Sequence, residues 1–167
     1  MGRLVMSEFL TPDGVMGEPS WTVPCWNDEL AAFKGTEMAG AGALPLGRVT
    51  HGGFARAWPS RTDEESGARM NALPKYVASA TLTRADGQNA TGLGADVAGE
   101  VAALKARLGG DLLLARGLVA GLNLIVSPPT PGAGKRLFTE TPVRLTPLDS
   151  RAFSSGAVLL QYAPARK

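Results

Sequence analysis

Leu46-Gly47-Arg48-Val49-Thr50 is the first stretch whose residue types suggest chemistry. It joins an apolar segment to a helical pattern. Backbone N–H groups and the positive end of a helix dipole would face an anion there. Arg48 adds a forked cation and Thr50 a hydroxyl, both suited to phosphate. A plain strand-to-helix turn with Arg48 in solvent fits the same spacing, and the short motif leaves both readings open. Asp28 and Glu29 open another helical pattern, where carboxylates cap the helix and complement its dipole. His51 is the single histidine. Beside a pocket it would serve as general acid or base, and on a helix it serves equally as a packing or surface residue. Cys25 shows no partner base, which a nucleophile needs, and is expected to be a small buried residue. Trp21, Trp26 and Trp58 are expected in the core or in a pocket wall.

These residues need elements to hold them. Arg3 to Leu10 reads as a strand running into the turn Thr11-Pro12-Asp13-Gly14. Asp28 to Met38 reads as a helix capped by Asn27 or Asp28. Ala43 to Leu46 reads as a brief strand weakened by Pro45, and Arg48 to Trp58 as a helix despite Gly52 and Gly53. Tyr76 to Ser79 is a strand. Asp96 to Leu108 is the clearest helix, with Val97, Val101, Leu104 and Leu108 at helical spacing before Gly109-Gly110. Asp111 to Leu114 and Leu122 to Val126 are apolar strands. Val143 to Tyr162 reads as a hairpin turning at Ser154-Ser155-Gly156. The alternation predicts an α/β domain with a mixed, mostly parallel sheet flanked by helices and closed by an antiparallel hairpin. No repeat or linker divides residues 1–167, so a single domain is expected.

Bulk properties narrow the classes. The 167 residues, 44% apolar, can bury a core. A net charge of +2, with the basic residues scattered, gives no footprint for nucleic acid. One cysteine permits no internal disulfide. The N-terminal MGRLVMSEFL lacks the apolar core of a signal peptide, and no stretch approaches the ~20 apolar residues of a membrane span. A cytoplasmic protein without a membrane partner is expected, and no metal site.

Several motifs together resemble the dihydrofolate reductase-like family, of the type of the C-terminal reductase domain of riboflavin biosynthesis. They are Ser7 to Val15, Trp26 to Leu30, Gly47 to Phe54 followed by Ala57 to Arg61, Leu73 to Ser79, Gly132 to Phe138 and Asp149 to Gly156. They fall in the family's order over nearly the whole chain. The resemblance implies that Gly47, Arg48 and Thr50 hold the phosphates of NADPH and that Ser79 lies near the adenosine 2′-phosphate. It implies that Thr11, Asp13 and Gly14 border the nicotinamide, with Trp26 and Phe54 walling the substrate pocket. Glu29, with Asp28 beside it, takes the place of the carboxylate that assists proton transfer during hydride addition. The implied activity is NADPH-dependent reduction of a small heterocyclic or carbonyl substrate, by a homodimer.

The chain departs from the family after Leu114. There the family places a Gly-rich turn, whose N–H groups approach the pyrophosphate, and a helix. Here seven residues separate Leu114 from Leu122, a stretch of at most roughly 25 Å. An extended crossover, an altered topology or an exchange of elements between chains would satisfy the length. Pro45, His51 in place of an aromatic, Ala80 after Ser79 and the Pro-rich 127–131 depart as well. Weak NADPH binding is therefore expected. A non-redox reading stands beside the reductase, either a cyclase-like enzyme or a small-molecule binder with a degenerate cofactor site.

Overall fold

Residues 2–17, 19–62, 65–82, 84–114, 119–138 and 142–165 are described by a computed structural model. The chain forms strand β1 (Leu4–Leu10), a 3-10 turn (Pro19–Cys25), helix α1 (Asp28–Gly40), β2 (Ala41–Gly47) and α2 (Arg48–Ala57). Then follow α3 (Glu65–Ala72), β3 (Lys75–Ala78), β4 (Ala90–Leu93), α4 (Val97–Arg107), β5 (Asp111–Leu114), β6 (Gly121–Val126), β7 (Leu145–Ala152) and β8 (Val158–Pro164). The eight strands hydrogen-bond in the order β4-β3-β2-β5-β1-β6-β8-β7. β2 pairs in parallel with β3 and β5, and β3 with β4, whereas β8 pairs antiparallel with β6 and β7. This is the mixed sheet with a closing hairpin that the sequence predicts. The 3-10 turn at Pro19–Cys25, α3 and β4 are the elements it does not predict.

The single linker-free domain read from the sequence divides into two compact units, each built from discontinuous segments. The first comprises Met1–Val5 and Gly35–Leu118, the second Met6–Lys34 and Val119–Lys167. In the first, Met38, Ala41, Leu44, Leu46, Met70 and Leu73 form a core, with Phe54 and Trp58 packed against it. In the second, Cys25, Leu30, Ile125, Phe153, Ala157 and Leu159 do so. Cys25 is thus the buried small residue its lack of a partner base predicts.

Local chemistry explains the boundaries. Asn27 Oδ1 accepts the Leu30 N–H at 3.0 Å and caps α1. At the other end, the Arg69 guanidinium donates to the carbonyls of Met38, Ala39 and Ala41, so α1 passes directly into β2. Pro45 sits inside a central strand without breaking it. The Leu44 N–H points toward β3, donating to Pro74 O at 2.8 Å. The missing donor of Pro45 therefore faces β5, where pairing reaches only Ala43. A Cβ on Gly110 would lie 2.7 Å from Gly42 N and 2.8 Å from Gly40 O, so glycine alone lets these backbones meet. Asp96 caps α4 by accepting the Gly99 N–H at 3.0 Å. Of the apolar stripe read on that helix, Leu104 is buried and Val97 is exposed.

Lys75, the first residue of β3, is buried. Its ammonium donates to the carbonyls of Met70 (2.8 Å), Leu73 (2.9 Å) and Asn71 (3.3 Å), closing the C-terminal end of α3. Burial pulls its pKa below the ordinary lysine value. The ammonium nevertheless satisfies three carbonyls at a negative helix end, each of which would otherwise be left short of a partner. Lys75→Met should therefore lose about 1–3 kcal/mol of stability in urea unfolding. A variant as stable as the wild type would show that the ammonium contributes nothing net.

Candidate functional site

In the first unit three parallel strands end at one level. Gly47 is the register partner of Ala78, and Ala78 of Leu93. The carboxyl ends of parallel strands are where open α/β sheets place ligands. Beyond Gly47 the chain enters α2. Gly47 is its extended N-cap residue (φ −77°, ψ 159°), and no side chain caps the helix start. A Cβ added to Gly47 would meet nothing within 4 Å. Neither backbone nor packing requires glycine there, and the open space admits close approach to first-turn N–H groups. Arg48 is exposed and Thr50 half-buried beside it. The start of α4 is different. Asp96 occupies one N–H, and Glu100 Oε1 accepts the Gly94 N–H at 2.7 Å. Two carboxylates thus sit at α4, while no side chain caps α2.

A cleft of about 510 Å³ opens beside these strand ends, lined by Ser79, Leu82, Arg84, Asp86, Thr91 and Leu93 among others. Ser79 Oγ accepts the N–H groups of Thr81 (3.2 Å) and Leu82 (3.0 Å). Its acceptor capacity is spent on its own turn, and the Thr81 hydroxyl lies 3.4 Å from it. Arg84 Nε lies 3.2 Å from Asp86 Oδ1, both side chains in solvent. The sequence reading had singled out neither. Arg84-Ala85-Asp86-Gly87 carries the composition of a loop, which is the one signal that could have drawn notice.

His51 and Phe54 lie on α2. His51 is 5% exposed, and its Nε2 finds no hydrogen-bond partner among the described residues. It sits under Gly87, where a Cβ would be 3.7 Å from Nε2. Phe54 turns to the core and packs edge-on against Trp58 at 6.0 Å. Their surroundings are those of packing residues.

The second unit holds the remaining candidates. Thr11 is buried; its Oγ1 donates to Asp13 Oδ1 at 2.5 Å and accepts the Val15 N–H at 3.0 Å. Asp13 Oδ2 accepts from Gly132 N at 3.1 Å, and Arg136 donates to the Asp13 carbonyl. Gly14 has φ +81°, which the turn needs glycine to adopt. The Thr11 hydroxyl, followed by the Gly132 N–H and Arg136, holds the Asp13 carboxyl below the usual range. Glu29 Oε2 accepts from Ser154 N (2.7 Å) and Ser154 Oγ (3.0 Å), and Asn27 Nδ2 donates to the same hydroxyl at 2.9 Å. The Ser154 N–H and then its hydroxyl lower the Glu29 pKa. Glu29 therefore stays anionic and ties α1 to the hairpin turn. That makes it a poor proton store. Asp28 is exposed in the first turn of α1. Trp26 is 49% exposed, its ring 6.0 Å from that of Phe9. It is an aromatic surface rather than a core residue.

This geometry sits on a dihydrofolate reductase-like fold. A protein from Shewanella sp. PV-4 described as belonging to riboflavin biosynthesis superposes with a TM-score of 0.79 at 18% identity, over 98% of this chain and 99% of that one. A pyrimidine reductase-like protein from Corynebacterium diphtheriae gives 0.67 at 11%, over 99% and 93%. The dihydrofolate reductase of Enterococcus faecalis, complexed with NADP(H) and RAB-propyl, gives 0.64 at 17%, over 99% and 98%. No protein-family model matches the sequence, and no curated relative does. At these identities the likeness establishes the fold, and the site must be argued from this chain.

Glu29 offers a direct check. Its folded pKa lies below the ordinary 4.5. Its stabilisation is then full above that value and is lost as pH falls through the lower, folded one. Glu29→Gln should be less stable than the wild type at about pH 7, and the gap should shrink below about pH 4. Urea unfolding at both ends reads this. A constant gap would mean that the charge has no part in holding the hairpin.

Proposed function

We propose that the chain is a reductase that passes hydride from a reduced nicotinamide dinucleotide to a small heterocyclic or carbonyl substrate. The observation that carries this is the uncapped start of α2, with open space at Gly47 and exposed Arg48, beside a cleft at the ends of parallel strands. These residues fit a phosphate: N–H groups unclaimed by any side chain, a glycine that lets the anion approach, and a guanidinium. Gly47, Arg48 and Thr50 would hold phosphate, and Ser79 would lie at the adenosine end. The dinucleotide supplies the hydride. In the second unit, the Thr11–Gly14 turn presents Asp13 as a fixed hydrogen-bond acceptor, and Trp26 offers a face for a flat ring. Asp13 and Glu29 are both held anionic. They orient N–H groups of a substrate better than they deliver protons.

A second reading rests on the short stretch between β5 and β6. Leu114 ends one strand and Gly121 opens the next, a stretch shorter than the Gly-rich turn and helix that the resemblance implies. Residues 115–118, including Arg116 and Gly117, lie outside the described residues. Losing two such N–H contacts would weaken NADPH by a hundredfold or more. A non-redox enzyme of cyclase type, or a small-molecule binder, would tolerate that loss.

Calorimetry with NADPH and with NADH separates the two. Binding of either at micromolar concentration, weakened by about 1.5–3 kcal/mol in Arg48→Ala, supports the reductase. No binding of either at millimolar cofactor supports the non-redox reading. Self-association is also proposed. β7 forms one edge of the sheet, and Leu148 on it is 65% exposed. Light scattering should then give twice 17.3 kDa, and a monomer at micromolar concentration would refute the pairing.

A further inference from the structure

We propose that the cleft of the first unit selects a dinucleotide whose adenosine ribose carries a free 2′-hydroxyl, favouring NADH over NADPH, and that Asp86 sets this preference. The inference rests on the reductase reading in taking a dinucleotide as the occupant.

The cleft is lined by Val77, Ser79, Leu82, Arg84–Gly87 and Ala90–Leu93, among which Arg84 and Asp86 are the charged side chains. Their charges cancel, and Arg84 Nε already faces Asp86 Oδ1 at 3.2 Å. A 2′-phosphate brings a charge of about −1.5 to −2 and needs cations not already spent. It finds one paired guanidinium and a carboxylate of its own sign. Ser79 gives little compensation, since its oxygen is filled by two backbone N–H groups and the Thr81 hydroxyl lies 3.4 Å from it. A ribose diol meets the same groups differently. Its two hydroxyls donate, and Asp86 Oδ2 is a carboxylate oxygen facing no donor in the Arg84 contact. A carboxylate accepting from the ribose hydroxyls is the usual means of binding the unphosphorylated cofactor, and an arginine the usual means of accommodating the phosphate. This cleft holds both, and the arginine is spent on the acid.

An exposed pair is weak, and Arg84 can swing away from Asp86. Even then the carboxylate stays in the cleft, and its repulsion acts on NADPH alone. Removing its charge should therefore change the ratio of the two affinities.

Calorimetric titration of the full chain with NADH and with NADPH tests this in the wild type, Asp86→Asn and Arg48→Ala, with circular dichroism confirming that each variant is folded. The wild type should bind NADH at least as tightly as NADPH. Asp86→Asn should tighten NADPH and weaken NADH, moving the ratio about tenfold or more, the scale of one charge-assisted hydrogen bond. A wild type that prefers NADPH tenfold, or a ratio unmoved in Asp86→Asn, overturns the assignment. If Arg48→Ala still weakens both cofactors in that case, the reductase reading stands and this inference alone fails. Absence of binding by either dinucleotide overturns both.

Discussion

Gly47, Ala78 and Leu93 are paired in parallel register across three adjacent strands, and the chemistry of the first unit depends on that alignment. Parallel strands in register end together, so the turns that follow them gather on one side. The Arg48 turn, the Ser79 turn and the Gly94 turn then come to a common edge. A slip of one residue in β3 would turn its side chains to the opposite face and carry Ser79 away from the cleft. Lys75 and Arg69 are what hold the register indirectly. Each closes a helix end with its side chain, so β2 and β3 can start immediately after α1 and after the short turn at Leu73-Pro74.

Electrostatics then separates two helix starts that backbone geometry makes alike. Both α2 and α4 follow strands and present first-turn N–H groups. Asp96 and Glu100 fill α4 with the chain's own negative charge, and α2 has no such side chain. In the second unit the carboxylates are spent in the same internal way, Asp13 on Thr11 and Gly132, Glu29 on Ser154. Those bonds fix a turn and a hairpin. They leave the acids anionic, so their use toward a ligand lies in accepting hydrogen bonds. Thr11 has a buried hydroxyl that donates to Asp13 and accepts the Val15 N–H.

Much of the fold was legible because its signals are local. Asn27 and Asp96 announce helix starts, and both cap as read. Ser154-Ser155-Gly156 announces a hairpin, and Gly156 takes φ +87° there. What escaped was set by tertiary context. α3 has a polar sequence with few apolar positions, and β4, Ala90-Thr91-Gly92-Leu93, has weak strand propensity and forms by pairing with β3. Pro45 looked like a strand breaker until the direction of its missing donor was fixed by neighbours. The site was legible by type and not by partner. The Gly47-Arg48 turn could be read from spacing. The bond between Glu29 and Ser154 spans 125 positions, and no local pattern reports it. Trp26 and Phe54 were given like roles for being aromatic, and burial separates them, one in solvent and one on the core.

The passage from β5 to β6 decides how much the α2 start must do alone. Six residues lie between Leu114, which ends β5, and Gly121, which opens β6, and four of them fall outside the described residues. Among the described residues the helix start without a side-chain cap is that of α2, whereas Asp96 caps α4. On the proposed dinucleotide reading, anion recognition in the first unit falls on the α2 start, on Arg48 and on a cleft whose own charges cancel. Such a site would discriminate by hydrogen-bond geometry at the sugar more than by attraction for phosphate.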